Sequence, residues 1–201
     1  GRRNLLGGDP GAMKIRNYLL ERGFTLDELK GTDLMYVERQ GLTKFLYSKG
    51  LNEQLIKLSG ILTRKFGEEY HLIIPFRGES GKVEGFIGRL DPDLEPVDGV
   101  RSKYKNSFGL DKSVPFLFHE ANRDDVQTMM IIEAPLDAIL MRAKKVKGVT
   151  ALIGDYPSKD AEIKVCSSKP PFIMLALDDD RAGREATVRL LPQLSGAGKR
   201  V

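Results

Sequence analysis

An α/β fold is predicted from three features of the sequence. Short helical patterns fill residues 14–65, two strand-like runs lie in residues 70–110, and strands alternate with helices from residue 128 onward. Apolar strands that alternate with helices are typical of a parallel sheet covered on both faces. We therefore expect a helical N-terminal subdomain with a small β hairpin, followed by a parallel sheet flanked by helices.

The N-terminal helices are predicted from periodicity and capping signals. Lys14–Arg22 places its apolar side chains on one face, and Gly23 follows it. Thr25 and Glu28 have the spacing of a capping box, which predicts the start of a second helix. The remaining predicted helices span Leu42–Lys49 and residues 52–59. The first 13 residues are rich in glycine, and we expect them to be tag sequence or a disordered start.

The predicted hairpin consists of the runs "YHLIIPF" and "KVEGFIGRL", joined by "RGESGK". The glycine-containing turn between two strand-like runs is the signal for this interpretation. A long segment that is rich in turn formers and basic residues follows, from "DPDLEP" to "GLDKS". A loop of this length inside a compact domain is usually functional or disordered.

The parallel sheet is predicted from the strands "TMMIIE", "VTALIG" and "FIMLALD". Helices are expected over Leu136–Lys145, around Lys159–Cys166 and over Arg181–Leu191, and Pro192 is expected to end the last of them. The final "KRV" could begin another strand.

Acidic residues follow two of these strands. Glu133 ends the first strand and Asp178 ends the third, and ligands bind beyond the carboxyl ends of parallel strands. Asp180 lies two residues after Asp178, so the two side chains can share a target, whereas Asp179 points elsewhere. If the two strands are neighbours, the carboxylates converge on a site for Mg²⁺ or Mn²⁺. Alternatively, Asp180 is only the N-cap of the helix that begins at Arg181.

The composition is that of a globular protein with a mild positive charge. The 201 residues carry a formal net charge of +4, which permits an anionic partner without requiring one. Cys166 is the only cysteine, so a disulfide framework and an all-cysteine zinc site are excluded. His71 and His119 are too few and too scattered for the spacing of metal ligands. Signal-peptide and membrane-length apolar runs are absent, so we expect a soluble, cytoplasmic protein.

Two acidic motifs resemble those of the Toprim domain of bacterial DnaG-like primases. "IIEAPLDAIL" is similar to the first motif, and "LALDDDRAGREA" is similar to the second. "HLIIPFRGESGKVEGFIGRL" and "SKYKNS" resemble segments that precede this domain in primases, in the same order. The resemblance implies an N-terminal helical and β subdomain over residues 14–115 and a Toprim domain over residues 116–201.

The resemblance also implies roles for individual residues. The catalytic acids would be Glu133, Asp137, Asp178 and Asp180, and Glu133, Asp178 and Asp180 would bind Mg²⁺ or Mn²⁺. The residues that would bind nucleic acid or nucleotide phosphates are Arg77, Arg89, Lys103 and Asn106. Gly154 falls where the family keeps a glycine near the site.

The function implied by the resemblance is that of a DNA primase. Such an enzyme joins ribonucleoside triphosphates on a single-stranded DNA template and works with a replicative helicase. Ala134 and Asp179 replace two family glycines, and the third acidic motif is expected beyond Val201, so the fragment could be inactive alone. The stretch from "LFHE" to Glu133 is shorter than in cellular primases, and Glu120 stands where they tend to have lysine. These two departures point to a phage, a mobile element or a primase-helicase. Two alternatives stay open: a Toprim nuclease or topoisomerase-like enzyme, and a non-catalytic nucleic-acid-binding module.

Overall fold

The computed structural model describes residues 5–58, 65–94, 102–153 and 158–201. The chain forms two compact units. One comprises Gly1–Phe76 with Gly85–Leu110, and the other comprises Arg77–Glu84 with Asp111–Val201. None of the helices in these described ranges combines the length and the apolar character needed to cross a membrane. The domain boundary expected between residues 115 and 116 stays a prediction.

Four helices and most of a four-stranded sheet build the first unit. The sheet order is β1-β2-β3-β4, in which β1 pairs antiparallel with β2, and β3 pairs antiparallel with β4. The helices are α1 (Pro10–Glu21), α2 (Leu26–Gly31), α3 (Arg39–Ser48) and α4 (Glu53–Leu58), and the strands are β1 (Met35–Tyr36), β2 (Leu72–Arg77), β3 (Val83–Arg89) and β4 (Tyr104–Asn106).

The start of the chain differs from the sequence prediction. Residues 10–13, which were expected to be tag or disordered, belong to α1. The Asp9 side chain accepts the Ala12 amide hydrogen bond and caps the helix, and Pro10 occupies its first turn, where a missing N–H costs nothing. Leu5 and Ala12 are fully buried, so apolar packing holds this segment in place despite its glycines.

Two further predictions on the first unit have clear outcomes. The capping box at the start of α2 is confirmed, because Thr25 and Glu28 exchange side chain to backbone hydrogen bonds. The long loop that was predicted after β3 contains β4, which pairs Ile87 with Asn106 and Arg89 with Tyr104. A three-residue strand is too short to show a period of two, so the sequence carried no signal for it.

A parallel three-stranded sheet lies in the second unit, as predicted. Its order is β6-β5-β7, and the central strand pairs parallel with both neighbours. Phe172 also forms a parallel bridge with Arg200, where the sequence suggested a further strand. The strands are β5 (Thr128–Ile132), β6 (Val149–Ala151) and β7 (Phe172–Leu175), and the helices are α5 (Phe118–Ala121), α6 (Pro135–Ala143), α7 (Lys159–Cys166) and α8 (Arg181–Gly196).

Pro192 lies inside α8 instead of ending it. Proline removes one helical hydrogen bond, to the carbonyl four residues earlier. Leu190 and Leu194 are fully buried on either side of Pro192, and the end of the helix is hydrogen-bonded, because the Ala197 amide donates to Gln193 O. Burial of these leucines therefore offsets the missing hydrogen bond, and the helix extends to Gly196.

A buried ion pair joins α7 to α8. Arg189 Nε donates to Glu162 Oε1 at 2.8 Å, and the Glu162 side chain is only 7% exposed. We expect Arg189→Ala to lower the free energy of unfolding by about 3 kcal/mol, because it leaves a buried carboxylate with its main cationic partner removed. Chemical denaturation measures this change.

Arg181→Ala is the matched control for this prediction. Arg181 lies on the same helix and pairs with Glu185, but its side chain is 90% exposed. Its loss should cost about 0–1 kcal/mol. Equal effects of the two substitutions would contradict the role assigned to burial.

Candidate active site

The ends of β5 and β7 meet at one edge of the parallel sheet. Ile131 is opposite Leu175, and the Ala176 amide extends the ladder by donating to Ile131 O at 2.9 Å. Beyond these pairs the Asp178 amide donates to Glu133 Oε1 at 3.1 Å. The two strands are therefore neighbours, as the predicted acidic site requires.

Gly183 allows α8 to approach this edge. A Cβ atom built on Gly183 would overlap the Asp178 carbonyl oxygen and lie 2.8 Å from Glu133 Oε1. A side chain of any size is therefore excluded unless the loop moves. Gly183 was not among the predicted site residues, although a glycine in the first turn of a helix is a signal, because glycine disfavours helix formation.

Asp179 and Asp180 have local partners. Asp180 Oδ1 accepts the Gly183 amide hydrogen bond at 2.9 Å, so Asp180 is the N-cap of α8. Asp179 forms an ion pair with Arg184, whose Nη1 lies 2.6 Å from its Oδ1. Asp180 thus has the capping role that the sequence suggested, and its metal-binding role stays a prediction. Asp179 points to a cation on the same helix.

Asp178 and Asp137 complete the acidic edge. Within the described chain, the Asp178 carboxylate forms no hydrogen bond or ion pair, and the residue is exposed. Asp137 lies in the first turn of α6, where the positive end of the helix dipole stabilises a carboxylate. At this edge the carboxylate oxygens of Asp178 can therefore bind a ligand directly. Glu133 and Asp180 can also contribute carboxylate oxygens, although each already accepts a hydrogen bond from a backbone amide.

The donor set fits Mg²⁺ or Mn²⁺ in its chemistry. Hard cations of this kind bind carboxylate oxygens, and Mg²⁺ usually keeps several waters and takes only one or two carboxylates. In the parts of the chain that the structure describes, however, no three acidic, histidine or cysteine side chains are arranged as a ready ligand set. The three-residue metal site predicted at Glu133, Asp178 and Asp180 stays a prediction.

Ala134 and Asp179, which stand where the resemblance leads one to expect glycines, do not strain the backbone. Ala134 is the N-cap residue of α6 and has φ −96° and ψ 127°, which any residue adopts. Asp179 is not among the residues with positive φ. Both positions therefore tolerate a side chain, and the negative charge that Asp179 adds is offset by Arg184.

Arg89 differs from its predicted role. It was expected on an exposed basic surface, but it is only 5% exposed. Its guanidinium lies 5.7 Å from the Tyr18 ring and 5.4 Å from the Tyr104 ring. Arg89 is paired with Tyr104 on the neighbouring strand, which brings the two side chains together. The face of an aromatic ring attracts a guanidinium, and this attraction favours the buried position. Arg89 therefore packs between two tyrosines instead of facing solvent.

The other predicted nucleic-acid-binding residues differ in exposure and in their hydrogen bonds. Arg77 Nη1 donates to Gly81 O at 2.9 Å, within the turn of the hairpin. Lys103 is exposed, whereas Asn106 is partly buried, and its Oδ1 has no hydrogen-bond partner among the described residues. Gly154 lies outside the described residues.

His119, which lacks the sequence spacing of a metal ligand, has a lowered pKa. Burial lowers the pKa of its imidazole, and the nearby Arg77 and Arg142 lower it further, whereas Glu120 raises it. Its ring lies beside Gly81 of the hairpin turn. Burial therefore favours the neutral form of His119.

Comparisons with known proteins found similarity in both sequence and fold. Residues 130–201 match a family model described as Toprim-like. The chain is 28% identical over 196 residues to a DNA primase from Thermotoga maritima and 29% identical over 199 residues to one from Clostridium acetobutylicum. These matches cover 90% and 92% of the chain, but only 33% and 32% of the two relatives.

Solved primase structures share the fold. The zinc-binding and RNA polymerase domains of the Aquifex aeolicus primase align over 98% of this chain and 49% of theirs, with a TM-score of 0.74 and 23% identity. The chain has the fold of a DnaG-type primase core with a Toprim domain. The RNA polymerase domain of the Mycobacterium tuberculosis primase DnaG aligns over 95% of this chain and 66% of its own, with a TM-score of 0.73 and 22% identity.

The expected resemblance is thereby confirmed, and the Toprim domain carries the acidic edge described above. The chain spans about a third of the length of the curated relatives that it matches.

Replacement of Gly183 should disturb the acidic edge of the Toprim domain. Alanine normally stabilises a helix interior by about 1 kcal/mol relative to glycine. At Gly183 we expect the opposite sign, a loss of about 2 kcal/mol in the free energy of unfolding, because the new Cβ overlaps the Asp178 carbonyl oxygen. Denaturant titration measures the sign.

Gly196→Ala provides the control on the same helix. A Cβ at Gly196 meets no atom within 4 Å, so this variant should be neutral or slightly more stable. A Gly183→Ala variant as stable as Gly196→Ala would show that α8 does not need glycine at the acidic edge.

Proposed function

We propose that this chain is the RNA polymerase core of a DNA primase, a nucleotidyltransferase that synthesises short RNA primers on single-stranded DNA. The observation that carries the proposal is the hydrogen bond from the Asp178 amide to Glu133 Oε1. It joins the acidic residues of two separate sequence motifs at the carboxyl edge of a parallel sheet, where ligands of such sheets bind.

The proposed reaction is attack by a primer 3′-hydroxyl on the α-phosphorus of a ribonucleoside triphosphate, with pyrophosphate as the leaving group. Glu133, Asp178 and Asp180 would hold Mg²⁺ or Mn²⁺, which supplies positive charge for the phosphates. Glu133 fixes the loop that carries Asp178, and Asp180 fixes the start of α8. Gly183 keeps this helix close to the loop, and Asp137 adds a further carboxylate from α6.

We assign template binding to basic residues in each of the two units. Lys103 is exposed in the first unit, and Arg77, the last residue of β2, donates a hydrogen bond to Gly81 of the hairpin turn in the second. Lysine and arginine bind the phosphates of single strands without reading the bases. A DnaG primase catalytic domain with a TM-score of 0.67 to this chain has been solved bound to single-stranded DNA, which supports the assignment.

The remaining partners follow from the proposed reaction. Ribonucleoside triphosphates are its substrates, and the template and these nucleotides are cytoplasmic in bacteria, which is the proposed location. A replicative helicase, the expected protein partner, stays a prediction.

A non-catalytic nucleic-acid-binding module is the second candidate. It is favoured by the engagement of Glu133 Oε1 and Asp180 Oδ1 with backbone amides, since both carboxylates already have a structural use. In this case the acidic residues would only stabilise the fold, and the basic residues would bind the nucleic acid.

Primer synthesis distinguishes the two candidates. The longest natural form that contains this chain is incubated with single-stranded DNA, labelled ribonucleotides and Mg²⁺, and short RNA is resolved on a gel. We expect Asp178→Asn to reduce synthesis about 100-fold or more while DNA binding is retained, because the carboxylate acts on the reacting phosphates.

Asp124→Asn is the control, since Asp124 is an acid that is 90% exposed and pairs with Lys169. It should leave synthesis unchanged. Absence of RNA from the wild-type protein, with DNA binding intact, would favour the non-catalytic module.

A further inference from the structure

A surface cavity of about 310 Å³ lies at the amino-terminal edge of the parallel sheet, within the second unit. Val126 precedes β5 and Val149 begins β6, and both line the cavity together with residues at the end of α6. Glu133 follows the opposite end of β5, so the acidic edge lies about 20 Å away at about 3.3 Å per strand residue. The cavity is therefore separate from the acidic edge.

Two residues that line this cavity have an uncommon backbone conformation. Leu117 has a φ of 61° and Lys145 has a φ of 67°, in the left-handed region that glycine adopts most easily. Among the residues that the structure describes, Lys65 is the only other non-glycine residue with a positive φ. Residues in such conformations cluster at functional sites, where the strain places a group that the site uses. Their coincidence in one cavity therefore favours a binding role.

Lys145 occupies the position after α6 that glycine usually fills. The Val146 amide donates to Met141 O at 3.0 Å. The Lys145 amide donates to Arg142 O at 2.9 Å, and the two bonds together form a Schellman motif. A side chain at this position destabilises the turn, because its Cβ is crowded in the left-handed conformation. Lys145 is exposed and forms no ion pair with any residue that the structure describes, so its charge is available to a ligand.

The other charges of the cavity are paired with one another, with a positive surplus. Asp125 holds two cations, because Arg123 Nε lies 2.9 Å from its Oδ1 and Lys147 Nζ lies 3.5 Å from its Oδ2. Arg142 Nη1 lies 2.8 Å from Glu120 Oε1. Four cations and two carboxylates line the cavity in all, which leaves a net charge of +2. This charge complements a dianion.

The lining favours a phosphomonoester of nucleoside size. A phosphomonoester carries a charge of about −1.5 to −2 at pH 7, and its oxygens accept strong hydrogen bonds from lysine and arginine. Leu117, Val126 and Val149 are buried apolar residues of the lining, which suits an uncharged ring system. Small-molecule sites have volumes of about 300–1,000 Å³, so this cavity is at the lower limit and matches a mononucleotide better than a larger ligand.

We propose that this cavity binds a nucleoside monophosphate. Lys145, Lys147 and Arg123 hold the phosphate, and the nucleoside packs against Leu117 and Val149. Binding requires no divalent cation, because the positive charge comes from the side chains themselves. The inference goes beyond the proposed function and does not depend on it, since the cavity and the acidic edge lie at opposite ends of β5.

Isothermal titration with adenosine monophosphate tests the site. The chain is titrated in EDTA, which removes divalent cations and thereby prevents metal-bridged binding of phosphates at the acidic edge. We expect adenosine monophosphate to bind about 10-fold more tightly than inorganic phosphate, because only the nucleotide also covers apolar side chains. Adenosine, which lacks the phosphate, should bind more weakly than adenosine monophosphate by at least the same factor.

Lys145→Gly separates the charge of the lysine from the strain of its backbone. Glycine adopts the left-handed conformation without a steric cost, so the melting temperature should rise by about 2–4 °C. The affinity for adenosine monophosphate should nevertheless fall about 10-fold, because the phosphate loses one cation. Lys145→Arg retains the charge and should bind like the wild type. Lys159→Ala is the control, since Lys159 is exposed on α7 and does not line the cavity.

Each result supports or overturns the proposed cavity. Wild-type affinity in Lys145→Gly would overturn it, as would equal affinities for inorganic phosphate and adenosine monophosphate, or no binding of the nucleotide at millimolar concentration. A thymidine dodecamer with a 5′-phosphate provides the last comparison. If it bound more tightly than the nucleotide and lost this advantage in Lys145→Gly, the cavity would belong to strand ends instead of a free nucleotide. Primer synthesis is tested separately by Asp178→Asn, so failure of this inference leaves the proposed function standing.

Discussion

The hydrogen bond between the Asp178 amide and the Glu133 carboxylate depends on the parallel pairing of β5 and β7, and the proposed site depends on this bond. Parallel strands end at the same edge, so residues that lie 45 positions apart in the sequence meet there. Gly183 is part of the same constraint, because α8 approaches the edge only where no side chain intervenes. The site is therefore a property of the sheet and one helix together.

Three consecutive aspartates are tolerated because each has a different environment. Asp180 caps α8 and lies at the positive end of the helix dipole. Asp179 is neutralised by Arg184. Asp178 is left without a side-chain partner among the described residues, next to a carboxylate from another strand. Two of the three charges are compensated within the protein, and a divalent cation would compensate the third.

Sequence patterns predicted the elements that carry strong local signals. The β hairpin, the parallel sheet and the capping box at Thr25 follow from alternation, apolar runs and residue spacing, which are local properties. The position of Asp180 as an N-cap was also foreseen as an alternative. The metal-binding role of the acids stays a prediction, because motif spacing does not determine where carboxylate oxygens point.

Predictions failed where tertiary packing overrode a local signal. Pro192 does not end α8, because Leu194 beyond it is buried, and residues 10–13 are helical because Ala12 is buried. Arg89 was expected on an exposed basic surface because its segment resembles one of the primase family, but it is buried between Tyr18 and Tyr104. Burial of this kind depends on residues that are distant in the sequence, and periodicity within one segment carries no information about it.

Anomalous diffraction from crystals soaked in Mn²⁺ and a ribonucleoside triphosphate tests the central claim most directly. We expect a manganese peak at about 2.0–2.3 Å from carboxylate oxygens of Glu133 and Asp178, and its loss in Asp178→Asn. A wild-type crystal with bound nucleotide but no manganese at this edge, or with manganese held only by other residues, would contradict the account.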